Sequence, residues 1–242
     1  MGRSNILAVT VAAATLFGAA VSIGCRKAQP APQTTPAPTP GFHAISTEAP
    51  APVSGESADT RPLILCFGDS LTAGYGTDPG QSFPDYLQQR LDAAGYHYHV
   101  VNEGVSGNTT KDGVERLPHI VSRHAKIVVL EFGGNDGLRG LPLEATQQNM
   151  AAMIEGLQKG GATVVLAGIT LPPDYGPDYI HRFNAMYPAL ATKYHVRLLP
   201  FLLDKVWGVP GDMQGDATHA TAQGNKQVAA NVQGLIQPLL TK

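Results

Sequence analysis

Apolar residues in this 242-residue chain gather into short unbroken runs separated by longer amphipathic stretches. Runs rich in Val, Ile and Leu recur at 62–67, 99–102, 127–132, 163–169 and 196–200. Their apolar residues are continuous rather than alternating, which predicts strands covered on both faces. Helical patterns fill the gaps at 83–94, 110–124, 143–159, 178–194 and 222–240. In the third of these, Met150, Met153, Ile154 and Leu157 fall at i, i+3, i+4 and i+7, one stripe for the sheet. Lys159 followed by Gly160-Gly161 marks its end, with a cation in the last turn and glycine just beyond. Strand and helix alternating five times predict a three-layer α/β/α domain with a five-stranded parallel sheet. In such sheets ligands bind at the carboxyl ends of the strands, so chemistry is expected just after each run.

The first quarter of the chain is built differently. Arg3 precedes an uncharged stretch over 6–23, which stops at Gly24-Cys25 before Arg26 and Lys27. That is the layout of an export signal over 1–24. Val21-Ser22-Ile23-Gly24-Cys25 resembles the box that ends bacterial lipoprotein signals, which makes Cys25 a candidate for lipidation and a membrane anchor; Ser22 departs from the usual Leu. Ordinary cleavage after Gly24, or an uncleaved anchor, fits the same stretch. From Gln29 to Thr60 the chain is rich in Pro, Ala, Thr and Ser, a composition that cannot offset the entropy of ordering it. Residues 25–60 are therefore expected to be a disordered tether, and 61–242 the folded domain. The protein is expected outside the cytoplasm, in the periplasm, on a membrane or secreted.

Charge and cysteine content narrow the function classes. With a formal net charge of −2 and scattered Lys and Arg, the chain has no basic stripe for a nucleic-acid partner. Its two cysteines, Cys25 and Cys66, make no disulfide framework, and no compact His/Cys cluster has metal-ligand spacing. No metal or cofactor is expected, and a monomer is.

Four polar segments each follow a strand run. The first run leads into Gly68-Asp69-Ser70-Leu71, placing a serine at the carboxyl end of a strand. A serine hydroxyl becomes a nucleophile only when a base removes its proton, so a histidine has to come from elsewhere in the chain. The second is Glu103-Gly104-Val105-Ser106-Gly107-Asn108-Thr109, whose backbone N–H groups can face an anion or whose glycines and Thr109 can simply form a turn and a cap. The third is Gly133-Gly134-Asn135-Asp136-Gly137, where a side-chain amide between glycines can donate to a reacting oxygen without adding charge. The last, Gly215-Asp216-Ala217-Thr218-His219, sets a carboxylate three residues before an imidazole, which lets it hold one ring nitrogen while the other faces the serine. The other seven histidines are expected to be surface, packed or tether residues; His219 stands out because its Asp partner lies in a polar, loop-like stretch beyond the fifth run.

In this order the segments resemble the four blocks of SGNH, or GDSL, hydrolases, across residues 62–240. Gly133 to Gly140, Leu171-Pro172-Pro173-Asp174-Tyr175-Gly176 and Leu198-Leu199-Pro200-Phe201 bring the resemblance closest to the bacterial acyl-CoA thioesterase I/lysophospholipase L1/arylesterase group. The resemblance implies a flavodoxin-like SGNH fold and a serine esterase acting on small-molecule or lipid esters and thioesters through an acyl-serine. It implies Ser70 as nucleophile, His219 as base and Asp216 as the group orienting it, with an oxyanion hole from the N–H of Ser70, the N–H of Gly107 and the side chain of Asn135. Ala220-Thr221 stand where the family commonly has Pro and Asn, and Thr221 can still cap the last helix. Loops 75–83, 138–143 and 172–180 are expected to wall an acyl groove, and export favours ester or lipid substrates over acyl-CoA. A carbohydrate acetyl esterase of the same fold, or a non-catalytic exported binding module, is the alternative. The α/β-hydrolase elbow Gly-x-Ser-x-Gly lacks its second glycine here, and no Gly-x-Gly-x-x-Gly follows the first strand.

Overall fold

The structure, a computed structural model, describes residues 59–242. The export signal over 1–24, Cys25 and the tether as far as residue 58 lie outside the described residues. Among the described residues, Asp59 already contacts the domain: its carboxylate accepts from the Arg61 backbone and guanidinium and lies 3.2 Å from the His99 ring.

In chain order the elements are β1 (Leu63–Gly68), α1 (Ser70–Ala73), α2 (Phe83–Ala93), β2 (His99–Gly104), α3 (Thr110–Ser122), β3 (Ile127–Glu131), α4 (Gly134–Leu138), α5 (Leu143–Lys159), β4 (Thr163–Ala167), α6 (Pro177–Tyr194), β5 (Arg197–Leu199) and α7 (Ala222–Ile236). Short 3-10 turns cover Pro173–Tyr175 and Gln237–Leu239. All five strands pair in parallel in the order β2-β1-β3-β4-β5. Right-handed crossovers dictate where the helices go. From β1 the chain steps one way to β2 through α2, then reverses past β1 to β3 and beyond, so α2 and α7 pack together and α3, α5 and α6 form the other layer.

The reversal leaves a crevice between the carboxyl ends of β1 and β3, the switch point of a 2-1-3-4-5 sheet. Ser70 follows β1 and Asn135 follows β3, so the topology alone brings them to one place.

Two expectations need correcting. The continuous apolar runs predicted five strands buried on both faces; β1, β3 and β4 are, but β2 and β5 are the sheet's edges and only partly covered. The expected helix at 222–240 stops at Ile236, where Pro238 allows only a 3-10 turn. The short helices α1 and α4 carry no apolar period, being too brief for one, and both sit at the site. The α5 stripe of Met150, Met153, Ile154 and Leu157 is buried, as its period required.

Candidate active site

Between β1 and α1 the chain turns sharply at Asp69. The Asp69 carboxylate caps the turn by accepting from Leu71 N–H at 3.0 Å, and Ala73 N–H returns to the Asp69 carbonyl at 2.9 Å. Gly68 and Gly104 permit the close approach this needs. A Cβ on Gly68 would meet Thr72 Oγ1 and the Glu131 carboxylate and carbonyl, and one on Gly104 would meet the backbone of Thr72 and Ala73. Ser70 is thereby lifted to the mouth of the crevice with its side chain partly open to solvent.

His219 arrives from the loop before α7. Its Nε2 lies 2.9 Å from Ser70 Oγ, and its Nδ1 lies 2.7 Å from Asp216 Oδ2. The other Asp216 oxygen accepts from the N–H groups of Thr218 and His219, each at 3.0 Å. Burial acts to raise the Asp216 carboxyl, but these bonds from His219 and Thr218 outweigh it and hold the group down to about 2. The loop adopts a backbone shape that costs strain, with Ala217 at φ 54°. Gln214 pins it: Nε2 donates to the Tyr75 carbonyl at 2.7 Å and the Ala220 carbonyl at 2.8 Å, joining the histidine loop to the segment after α1. Tyr75 also leans on the His219 ring, centroids 4.7 Å apart. Thr221 caps α7 as expected, accepting from Gly224 N–H.

Asn135 opens α4, which Asp136 locks in place from inside. The Asp136 carboxylate takes the N–H and hydroxyl of Thr110 at 2.9 and 2.5 Å and the Thr146 hydroxyl at 3.3 Å, tying α3, α4 and α5 together. Asn135 Nδ2 donates to Asp69 Oδ2 at 3.1 Å and to the Asn108 carbonyl at 3.0 Å. Both amide hydrogens are engaged in the resting site, so an incoming oxyanion competes with a protein acceptor for one of them. Gly107 sits at φ 81° in the loop after β2; its carbonyl accepts from Arg139 Nη2 at 2.9 Å, and Arg116 holds the neighbouring Asn108 side chain at 2.9 Å.

A cleft of about 620 Å³, open solvent included, runs from Ser70, Asn135 and His219 between apolar walls. Leu138 and Pro172 come from two of the three loops expected to form it. The third, 75–83, supplies no residue of that lining; Tyr75, at its start, packs on the His219 ring and takes Gln214 Nε2 on its carbonyl instead. In its place Phe201, Leu203 and Trp207, on the segment after β5, form the wall. Sequence reasoning also passed over Asp69, Gln214 and Glu131. Only Glu131 left a readable sign, as the single acidic residue ending the apolar run Ile127-Val128-Val129-Leu130. Among the described residues, no group of three or more His, Cys, Asp or Glu side chains comes together to hold a metal ion.

A hydroxyl, an imidazole and a carboxylate hydrogen-bonded in series at the switch point of a parallel sheet define a serine-hydrolase site of the three-layer α/β class. The chain belongs to the GDSL-like Lipase/Acylhydrolase family, which it matches over residues 66–227. It is 43% identical over 178 residues to the esterase TesA of Pseudomonas aeruginosa, covering 73% of this chain and 89% of that protein. With the thioesterase 1/protease 1/lysophospholipase L1 of Escherichia coli it shares 35% over 185 residues, 76% of this chain and 86% of the other. The crystal structure of TesA superposes with a TM-score of 0.71 at 42% identity, covering 74% of this chain and 99% of that one.

Proposed function

We propose that this protein hydrolyses carboxylic esters and thioesters of apolar acyl groups through an acyl-serine at Ser70. The observation that carries the reading is the unbroken series from Ser70 Oγ through His219 to Asp216, at the head of an apolar cleft. Ser70 Oγ attacks the acyl carbon while His219 Nε2 takes its proton, and the carbonyl oxygen becomes an oxyanion facing the Ser70 N–H, the Gly107 N–H and the Asn135 amide. His219 then protonates the departing alcohol or thiol, leaving the acyl group on Ser70. Water, deprotonated by the same nitrogen, attacks the acyl carbon and releases the acid with Ser70 restored. Asp216 holds the imidazole in the needed tautomer and opposes the positive charge it gains. The names of the relatives, esterase and thioesterase 1/lysophospholipase L1, support this substrate class.

The layout of residues 1–27 supports export, and the box ending at Cys25 supports attachment to a membrane through a lipidated N-terminus.

A fluorophosphonate probe tests the mechanism. Labelling is expected at Ser70 alone, and Ser70→Ala should lose both labelling and on the order of 10³-fold or more in rate. Undiminished turnover in the Ser70→Ala protein would sink the proposal.

A further inference from the structure

Directly beneath the Ser70 turn lies a second carboxyl that the hydrolytic mechanism does not use. Glu131, the last residue of β3, is fully buried, and so is Asp69, at 0% and 1% exposure. Glu131 Oε2 accepts from the Thr72 hydroxyl at 2.8 Å and from Asp69 N–H at 3.3 Å. Its other oxygen, Oε1, meets no N–H or O–H donor. The Asp69 and Glu131 carboxyls are within hydrogen-bonding reach of each other. Two carboxyls share a hydrogen bond only if one keeps its proton. Asp69 is already committed as an acceptor on both oxygens, to Leu71 N–H and to Asn135 Nδ2, so the proton belongs on Glu131.

We propose that Glu131 is a positioning residue for ester hydrolysis: as a neutral acid it donates to Asp69, whose carboxylate in turn holds the Ser70 turn and the Asn135 amide in place. The inference rests on the serine-hydrolase reading of the site. A neutral Glu131 uses Oε2 as acceptor and its hydroxyl as donor, satisfying the oxygen that would otherwise be left orphaned. The titration directions agree. Burial is the largest cause for both, raising Asp69 to about 6 and Glu131 well above the usual carboxylate range; the charge of Asp69 raises Glu131 further against the bonds from Thr72 and the Asp69 N–H, while bonds from Leu71, Glu131 and Asn135 offset part of the rise at Asp69. The surroundings add little that would ionise Glu131. α6 presents the Tyr187 phenol, itself pushed up by burial, and α1 the neutral Thr72 hydroxyl. α3 directs the Arg116 guanidinium to the Gly68 carbonyl at 3.5 Å, and His219 lies on the Asp69 side.

Glu131→Gln, Glu131→Leu and Asp69→Asn separate the roles. A glutamine reproduces the neutral acid atom for atom, with a carbonyl toward Thr72 and an N–H toward Asp69, and E131Q is expected to keep kcat within about threefold. E131L leaves the Asp69 anion without its donor and should lose on the order of 10²-fold in kcat with KM little changed. D69N has one acceptor oxygen where two are needed and should fall as far. Infrared difference spectra at about pH 8 should show the carbonyl stretch of a protonated carboxyl in the wild-type protein and not in E131Q. Absence of that band, or E131Q falling as far as E131L, would show that an ionised Glu131 is required and overturn the proposal. Full activity in E131L would overturn it as well. Should E131L fail to fold, E131Q and the infrared band decide alone. The band does not depend on turnover, so a wild-type protein inert toward esters would refute the hydrolase reading without touching the protonation of Glu131.

Discussion

Asp216 shows how a half-open residue can serve a site in which charge must persist. Three hydrogen-bonding contacts on a strained loop, rather than burial, keep it ionised. Its carboxyl titrates at about 2 in the folded chain, below the roughly 3.9 of an unfolded aspartate. The contribution to stability is therefore complete above the unfolded value and is lost as pH falls toward the folded one. Thermal unfolding midpoints of the wild-type protein and Asp216→Asn should differ near neutrality and converge as pH approaches 2. The same substitution should lower kcat by about 10² to 10⁴-fold, since an asparagine no longer favours the tautomer that leaves Nε2 free to accept. An asparagine has no proton to release in the range in which the enzyme is assayed, so the loss should not be recovered by raising pH. Recovery at high pH would assign the role to another group.

The elements that matter most for the site are also the smallest. α1 has four residues and α4 five, lengths at which no helix is stable alone, so both depend on what surrounds them. For α1 that support is β2, whose last residue is Gly104, and a side chain there would collide with the Thr72 and Ala73 backbone. Gly104→Ala should cost about 1–3 kcal/mol through overpacking and should lower kcat at least tenfold by tilting Ser70 away from His219. Calorimetry and steady-state kinetics on one variant check both. A protein that loses stability but keeps kcat would show that α1 can shift without moving its serine. α4 is held instead from its buried side by Asp136, which explains why an aspartate follows Asn135 in a segment otherwise made of glycines. Neither helix could be read from apolar spacing, which needs more turns than these contain.

The whole chain joins a compact catalytic domain to an N-terminal quarter of another composition. The first strand begins at Leu63, and among the described residues contacts with the domain start at Asp59. No helix among the described residues is long and apolar enough to cross a membrane. A chain starting at Asp59 should therefore be folded and active on short esters. The full-length protein expressed in a bacterium should follow the membranes and resist salt washing, because hydrophobic anchoring is not screened as a basic patch would be. Mass spectrometry of the mature N-terminus gives the deciding measurement. An unmodified Cys25, or cleavage within the Pro-rich segment, would remove the anchor while leaving the esterase untouched.

Residue order was enough for the parallel sheet and for expecting Ser70, Asp216 and His219 to meet at its carboxyl end, for a physical reason. Buried parallel strands need unbroken apolar runs, and open sheets bind ligands where those runs end, so both marks are local. The support around those side chains was not legible. Gln214 meets Tyr75 across 139 positions, and Glu131 meets Thr72 across 59. Nothing in the spacing of one segment encodes which distant loop will come to rest against it. The cleft wall at Phe201, Leu203 and Trp207 was missed for the same reason. Strand order sets β5 at the sheet's far edge, and only the packed chain folds the segment after it back over the site.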